Sequence, residues 1–349
     1  MNPGNFFRRL TKNLPKLVSI LLAAVIAAGL LFYGLTALGT LKNSRYSPKE
    51  TETEAESTTE EPETEAPTTT EAPTTTAPTT TAEPETEPSE EETEPREIVD
   101  IRSLSQSEID EMTGRYDGTV HRYIIGYENV ETDQNNRPVY ANDLLSTFDG
   151  TDARIKVFAA GEDSPKAAFS FMLDDEAPYT EQVLDILKEN EIRAVFFVTH
   201  SFAQNHADLI RRMIDEGHEI GNHSYTYPES GTASLAPLDQ VFEAFNMHRY
   251  MDLGYEYNMQ RYCFNKGYWS QLSVMLISAM GYEVCFSSSN FEDDNDALNY
   301  DPKTILSGLE KNLHNGCIYS FHCSNEIVTK VLPGLIEFIK EQGFRVIPM

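Results

Sequence analysis

Basic side chains are scarce in this sequence: 27 Lys and Arg stand against 56 Asp and Glu, for a net charge of −29 over 349 residues. The shortage argues against a nucleic-acid partner, since neutralising phosphates takes clustered Lys and Arg. It is not evenly spread. Residues 1–49 carry seven basic side chains and no acidic one, residues 50–97 carry 17 Glu and a single Arg, and 98–349 hold the remaining 19 basic and 39 acidic groups. That last segment is long enough to bury a full-sized core as one domain.

Charge is missing altogether from Leu17 to Leu41, a run of 25 residues. As a helix it would span about 37 Å, enough to cross a bilayer core with some tilt. A cleaved signal peptide is the competing reading. The run is longer than a typical signal core, however, and neither a clean Ala-x-Ala site nor a cysteine for lipid attachment directly follows it. We read 17–41 as a transmembrane signal anchor. Arg8, Arg9, Lys12 and Lys16 precede it and Lys42, Arg45 and Lys49 follow. The balance places the basic tail 1–16 in the cytoplasm and the C-terminal domain outside, at a bacterial cell surface.

Residues 42–97 form a Thr/Glu/Pro-rich stalk with near-repeats such as TTTEAPTTTAPTTTAEPETEP. From 50 to 97 it lacks large apolar side chains, so burial cannot offset the entropy of ordering it, and we expect it to be disordered. Proline and like-charge repulsion extend such a chain. A spacer of this kind lifts a domain away from a membrane into a thick wall.

Residues 98–165 are polar and Tyr-rich, with turn signals at Asp117-Gly118 and Asp149-Gly150, and read as a lead-in region packed on the main domain. From Lys166 an alternation sets in. Short apolar runs predict strands at Ala167–Leu173, Ala194–Thr199, Glu219–His223, Gln260–Phe264, Tyr282–Phe286, Cys317–His322 and Arg345–Ile347. Helical patterns lie between them: one with Thr180 as its cap, one closed by Gly217, and others over Leu238–Leu253, Trp269–Met280, Pro302–Leu313 and Ile327–Gln342. Strands alternating with helices predict an α/β fold with a parallel sheet, open or closed as a barrel, whose chemistry sits at the C-terminal strand ends.

At those ends stand Asp174 and Asp175 after the first strand, His223 ending the third and His322 ending the sixth. Adjacent carboxylates face different ways, so one can hold a metal while the other takes a proton. A strand-end imidazole can be a neutral ligand, and a second can serve as general acid. Singly, each has a bland reading as helix cap or hydrogen-bonded core histidine. Together on one face of one sheet, they point to a site.

Several longer stretches carry a resemblance. Met172-Leu173-Asp174-Asp175-Glu176 is followed by PYTEQVLDILKENEIRAVFFVTH; EGHEIGNHS runs from Glu216 to Ser224; NGCIYSFHCSN runs from Asn315 to Asn325, and the chain closes on GFRVIPM. From 166 to 349 the sequence resembles the NodB-homology polysaccharide deacetylases, most nearly the branch acting on muramic acid in peptidoglycan. The resemblance implies a distorted seven-stranded (β/α) barrel, preceded here by the transmembrane helix and disordered linker. It implies hydrolysis of N-acetyl groups on amino sugars of a cell-wall glycan or other N-acetylated polysaccharide, with a divalent metal, zinc, as cofactor. Asp174 would be the general base, Asp175 and His223 metal ligands, and His322 the general acid.

The chain departs from that pattern at several points. The second motif's His-Ser/Thr-x-x-His, read as one helical turn presenting two imidazoles, becomes His223-Ser224-Tyr225-Thr226-Tyr227, so Tyr227 takes the third ligand position. A phenol must lose a proton with a pKa near 10 to bind well, which weakens zinc affinity. Glu176 stands where glycine belongs and is a candidate oxygen ligand favouring a harder metal. In the third motif, aligned on Gly267, Cys263 falls on the Arg position, and the nearest guanidinium, Arg261, is the candidate partner of Asp174. The fourth motif's Asp-Trp reads Glu292-Asp293 after Phe286, and the fifth reads Ser320-Phe321-His322. Of Cys263, Cys285, Cys317 and Cys323, three lie in predicted strands as small buried residues, and Cys323 is a candidate soft ligand. Three functions follow from this: a membrane-anchored deacetylase with an altered metal site, a catalytically silent glycan-binding or scaffolding relative, and a hydrolase of other C–N bonds on the same scaffold.

Overall fold

A computed structural model describes residues 96–99, 103–128, 130–161, 163–174, 177–228, 230–291 and 301–349. The basic tail, the expected anchor 17–41 and most of the stalk lie outside these residues, as do Asp175, Glu176 and Glu292-Asp293. Among the described residues no helix is long and apolar enough to cross a membrane.

In chain order the elements are α1 (Gln106–Arg115), β1 (His121–Arg122), α2 (Val139–Ser146), β2 (Ile155–Lys156), β3 (Lys166–Leu173), α3 (Thr180–Glu189), β4 (Val195–Val198), α4 (His200–Asn205) and α5 (Ala207–Asp215). They continue with β5 (Glu219–Asn222), α6 (Pro237–Tyr255), β6 (Arg261–Tyr262), β7 (Tyr268–Trp269), α7 (Gln271–Ala279), β8 (Glu283–Cys285), β9 (Ser289–Phe291), α8 (Pro302–Lys311), β10 (Cys317–His322), α9 (Ile327–Glu341) and β11 (Arg345–Val346). The main sheet runs β2-β8-β6-β5-β4-β3-β10-β9, with β11 added to β3, and every pair in it is parallel.

β8 and β9 stand on opposite sides of this order, yet only residues 286–288 separate them in sequence. A link that short spans at most about 14 Å, so the sheet has to curl until its two sides approach. Phe286 N donates to Lys156 O at 2.8 Å and Ser288 N to Ile318 O at 3.1 Å, stitching the link to both sides. The result is a curled parallel half-barrel with more strands than the seven expected. The short β2 and β9 were illegible because neither carries an apolar run.

Alternation along each strand sorts the side chains. On β3, Ala167, Phe169, Phe171 and Leu173 face the helices and join the main core, while Ala168 faces the lumen. The lumen is plugged by Ala168, Val195, Phe197, Cys263, Cys285 and Ile318, together with Met349. Above this plug Ser170 and Ser320 share a buried hydroxyl hydrogen bond. Gly221 is required at its place, since a Cβ there would meet the Phe197 ring at 2.3 Å.

Below the plug lies a charged layer. Arg261 sits two residues before Cys263 and so shares its face; its Nε donates to both Glu219 oxygens at 2.8 Å, and it also pairs with Glu283. Burial works against the Arg261 charge, but Cys285, Glu219 and Glu283 outweigh it and raise its pKa. Arg261 therefore closes the N-terminal end of the lumen rather than partnering Asp174 at the other end.

Other expectations are corrected locally. Thr180 is the first helical residue, not the cap, and its hydroxyl donates back to Ala177 O at 2.8 Å. The helix expected from Trp269 starts at Gln271, because Ser270 and Ser273 form a capping box and Tyr268–Trp269 pair with β1. Gly217, at φ 78°, follows α5 as expected. All four cysteines are buried free thiols.

His218 and His314 are core histidines. Ala194 N donates to His218 Nδ1 at 3.1 Å, and the His314 Nδ1–H donates to Asn315 O at 3.0 Å. Burial is the main cause that holds both pKa values down to about 4. The unfolded chain takes up these protons near pH 6.5 while the folded one refuses them. Stability is therefore intact above about pH 6.5 and falls as pH drops toward 4. Between pH 7 and 5 each should cost roughly 1–2 kcal/mol. Urea denaturation of His218→Gln, whose amide oxygen can still accept from Ala194, should show a shallower fall than the wild type; an unchanged fall would refute the assignment. Arg261→Met should lose about 2–3 kcal/mol by leaving Glu219 unpaired and Glu283 with Lys156 alone, without altering ligand binding at the far end of the lumen.

Candidate active site

Where the lumen opens at the C-terminal strand ends there is a narrow cleft of about 50 Å³. His223 and His322 both line it, together with Met172, Cys263, Lys266 and Asn290. Strand parity brings them there. His322 ends β10 on the face of Ile318 and Ser320 and lies level with Met172 across the β10–β3 pair. His223 follows β5 on the face of Gly221.

His223 is the best-defined group. It is 2% exposed, and its Nδ1 lies 2.9 Å from the Cys263 carbonyl oxygen. A carbonyl only accepts, so Nδ1 carries the proton and the lone pair of the neutral ring is on Nε2. Burial, with the nearby His322 charge acting in the same direction, lowers the His223 pKa to about 4, against the pull of the Cys263 carbonyl. The imidazole is thus neutral at physiological pH, in one tautomer.

The backbone around it is tightly held. Asn265 Nδ2 donates to His223 O at 2.8 Å, and Asn265 Oδ1 accepts from Thr232. Asn222 Oδ1 accepts from Ser224 N at 2.8 Å, and Ser224 takes φ 80°, a left-handed conformation rare for a side chain other than Gly or Asn. Glu243 Oε2 accepts from Thr226 N at 2.6 Å. Residues 223–228 are therefore a loop, not the helical turn expected of the second motif.

The other candidates fall in different places. Asp174 directly follows β3 and is half-buried. The Tyr227 ring centre is 5.8 Å from that of His223, and Lys266 Nζ lies 5.3 Å from the Tyr227 ring centre. Cys323 is fully buried in the helix-side core, since the residue after His322 faces the opposite way, and its carbonyl accepts from Tyr179 N. It does not line the cleft. Phe286 does, packed at 5.0 Å from Tyr123.

The metal that the resemblance implies needs several donors converging. Among the described residues no group of three His, Cys, Asp or Glu is placed to hold an ion. His223 has the right chemistry, a neutral imidazole with its far nitrogen anchored. Tyr227 adds a phenol whose ring face is occupied by an ammonium, and a fixed cation beside a dication is repulsive. The described donors do not by themselves complete a zinc site, and the expected ligand Asp175 is not among them.

Sequence reasoning missed Lys266, Asn290 and Tyr123. Tyr123 OH donates to Ser287 O at 2.8 Å and Tyr123 N donates to Gly267 O at 2.7 Å, so the lead-in region forms one wall of the cleft. Gly267, at φ 68°, would bring a Cβ within 2.2 Å of Tyr123 O, which explains its glycine. The lysine beside that glycine, inside a recognisable motif, was the available signal.

Comparison with known proteins agrees with this architecture. A family model described as polysaccharide deacetylase matches residues 161–285. The peptidoglycan-N-acetylmuramic acid deacetylase PdaA of Bacillus subtilis (strain 168) is 29% identical over 204 residues, which is 58% of this chain and 74% of that protein. The solved structure of PdaA, a family 4 carbohydrate esterase, superposes with a TM-score of 0.58 at 22% identity, covering 66% of this chain and 96% of that one. A family 4 pseudoenzyme from Bacillus anthracis superposes with a TM-score of 0.50 at 19% identity, over 56% of this chain and 67% of its own. These structural likenesses speak for the fold. Residues 161–285 match the polysaccharide deacetylase family, and the NodB-type motifs continue from there to β10.

Proposed function

We propose that this chain is an extracellular N-deacetylase of amino-sugar polymers, of the peptidoglycan type, tethered through 17–41 and held off the membrane by 42–97. One observation carries the reading: a neutral, oriented His223 shares a strand-end cleft with His322. The activity named for PdaA supports the substrate class.

In this reading the acetamide carbonyl enters the cleft beside His223. His223 Nε2 accepts a hydrogen bond from the attacking water and fixes its direction. Asp174 takes a proton as the water oxygen bonds to the carbonyl carbon. The carbon–nitrogen bond then breaks, and His322 supplies a proton to the departing amine. Acetate and a free amino sugar leave. No step is assigned to a metal.

A second reading is favoured by Lys266 on the Tyr227 face, where the third ligand of the family would stand. There the domain binds or scaffolds cell-wall glycan without turning it over.

Acetate release from peptidoglycan fragments and chitooligosaccharides separates the two. The full-length chain should release acetate, and Asp174→Asn and His322→Gln should each lower kcat by about 10²–10⁴ with little change in KM. No acetate from the wild type on either substrate, with activity gained by Tyr227→His, would establish the silent module instead.

A further inference from the structure

Resting on the glycan reading above, we propose that Lys266 is the anion-recognising residue of the cleft, taking the carboxylate of an acidic amino sugar, the lactyl ether of muramic acid. The lysine lines the cleft beside His223 and His322, on the turn Asn265–Gly267. Its backbone is at φ 53° and ψ 19°, a conformation that Asn or Gly adopts with less strain. A costly backbone therefore carries a long cationic side chain in a place where a small residue fits more easily.

The turn is clamped from several directions. Tyr123 N holds Gly267 O, Arg122 Nε donates to Lys266 O at 3.3 Å, and Asn265 is tied to His223 O. Lys266 thus sits at a set distance from the reacting groups. None of the ion pairs among the described residues includes it. Its ammonium rests instead on the Tyr227 ring, a contact that leaves its hydrogen-bond donors for a ligand. Arg122, whose guanidinium lies 5.4 Å from the Tyr268 ring centre, supports the turn from outside the cleft. A lysine lining the cleft is an exception in a segment with 39 acidic and 19 basic side chains, whose general field repels an acidic glycan.

A second observation points to a ligand independently. Asn290 also lines the cleft, and its buried Oδ1 accepts no hydrogen bond within the protein. An unpaired buried acceptor is costly unless something in the cleft donates to it. An acetamide N–H is such a donor. Asn290 would then hold the acetamide while Lys266 holds the carboxylate, and only a sugar bearing both groups would engage the two.

Calorimetric binding tests this in the full-length chain, kept in detergent and carrying Asp174→Asn to suppress turnover. The probes are a muramic-acid-containing tetrasaccharide with free lactyl carboxylates and neutral N-acetylglucosamine tetrasaccharide. The acidic probe should bind about tenfold more tightly or better, and added salt should erode that preference. Lys266→Met should abolish it and leave the neutral probe unchanged. Lys266→Arg should keep it, and Lys266→Asn, which suits the positive φ, should lose it as Lys266→Met does. Equal affinity for both probes in the parent, or equal weakening of both by Lys266→Met, would overturn the role of Lys266 while leaving the glycan reading in place. Binding of neither probe would overturn both.

Discussion

Everything at the cleft depends on one constraint: a curled parallel sheet must fill its own lumen, and residues of one parity on each strand do the filling. Small and apolar side chains from β3, β4, β8 and β10, with Cys263 just after β6, make the plug. Polar groups of the same parity are pushed to the two ends. At the N-terminal end they neutralise one another, Arg261 against Glu219 and Glu283. At the C-terminal end they are His223, His322 and Asn290, which face a cleft. A slip of one residue in β5 would turn His223 into the helix layer and place Asn222 in the lumen.

Parity alone does not aim a side chain. The aim comes from the Cys263 carbonyl, which holds the His223 ring by Nδ1, and from Asn265, which holds the His223 backbone. Both belong to the segment after β6, and that segment is itself held by Tyr123 of the lead-in region. The lead-in residues are part of the site's scaffold. They add β2 to the main sheet, pair β1 with β7, and accept from Asn290 N through Ile125 O.

Much of this was legible in the sequence because apolar runs in buried parallel strands are continuous. Cys317–His322 matched its expected bounds, and β3, β4, β5 and β8 differed by a residue or so at their ends. The strand-end filter found His223 and His322 for the same reason. What stayed illegible was tertiary. β1, β7 and β9 are short pieces defined by their partners, not by their own pattern. Arg261 looked like a site residue by proximity in sequence to the third motif, yet its parity and its neighbours' carboxylates place it at the other end of the lumen. Lys266 stands inside the third motif, but its meaning comes from the turn that presents it.

The central physical claim is that the fold delivers His223 to the cleft as a neutral ring protonated on Nδ1. Nitrogen-15 NMR of the imidazole in the full-length chain tests it directly. The account predicts that tautomer, with no titration of the ring between pH 8 and 5. An Nε2–H tautomer, or a His223 that titrates near pH 6.5, would contradict it.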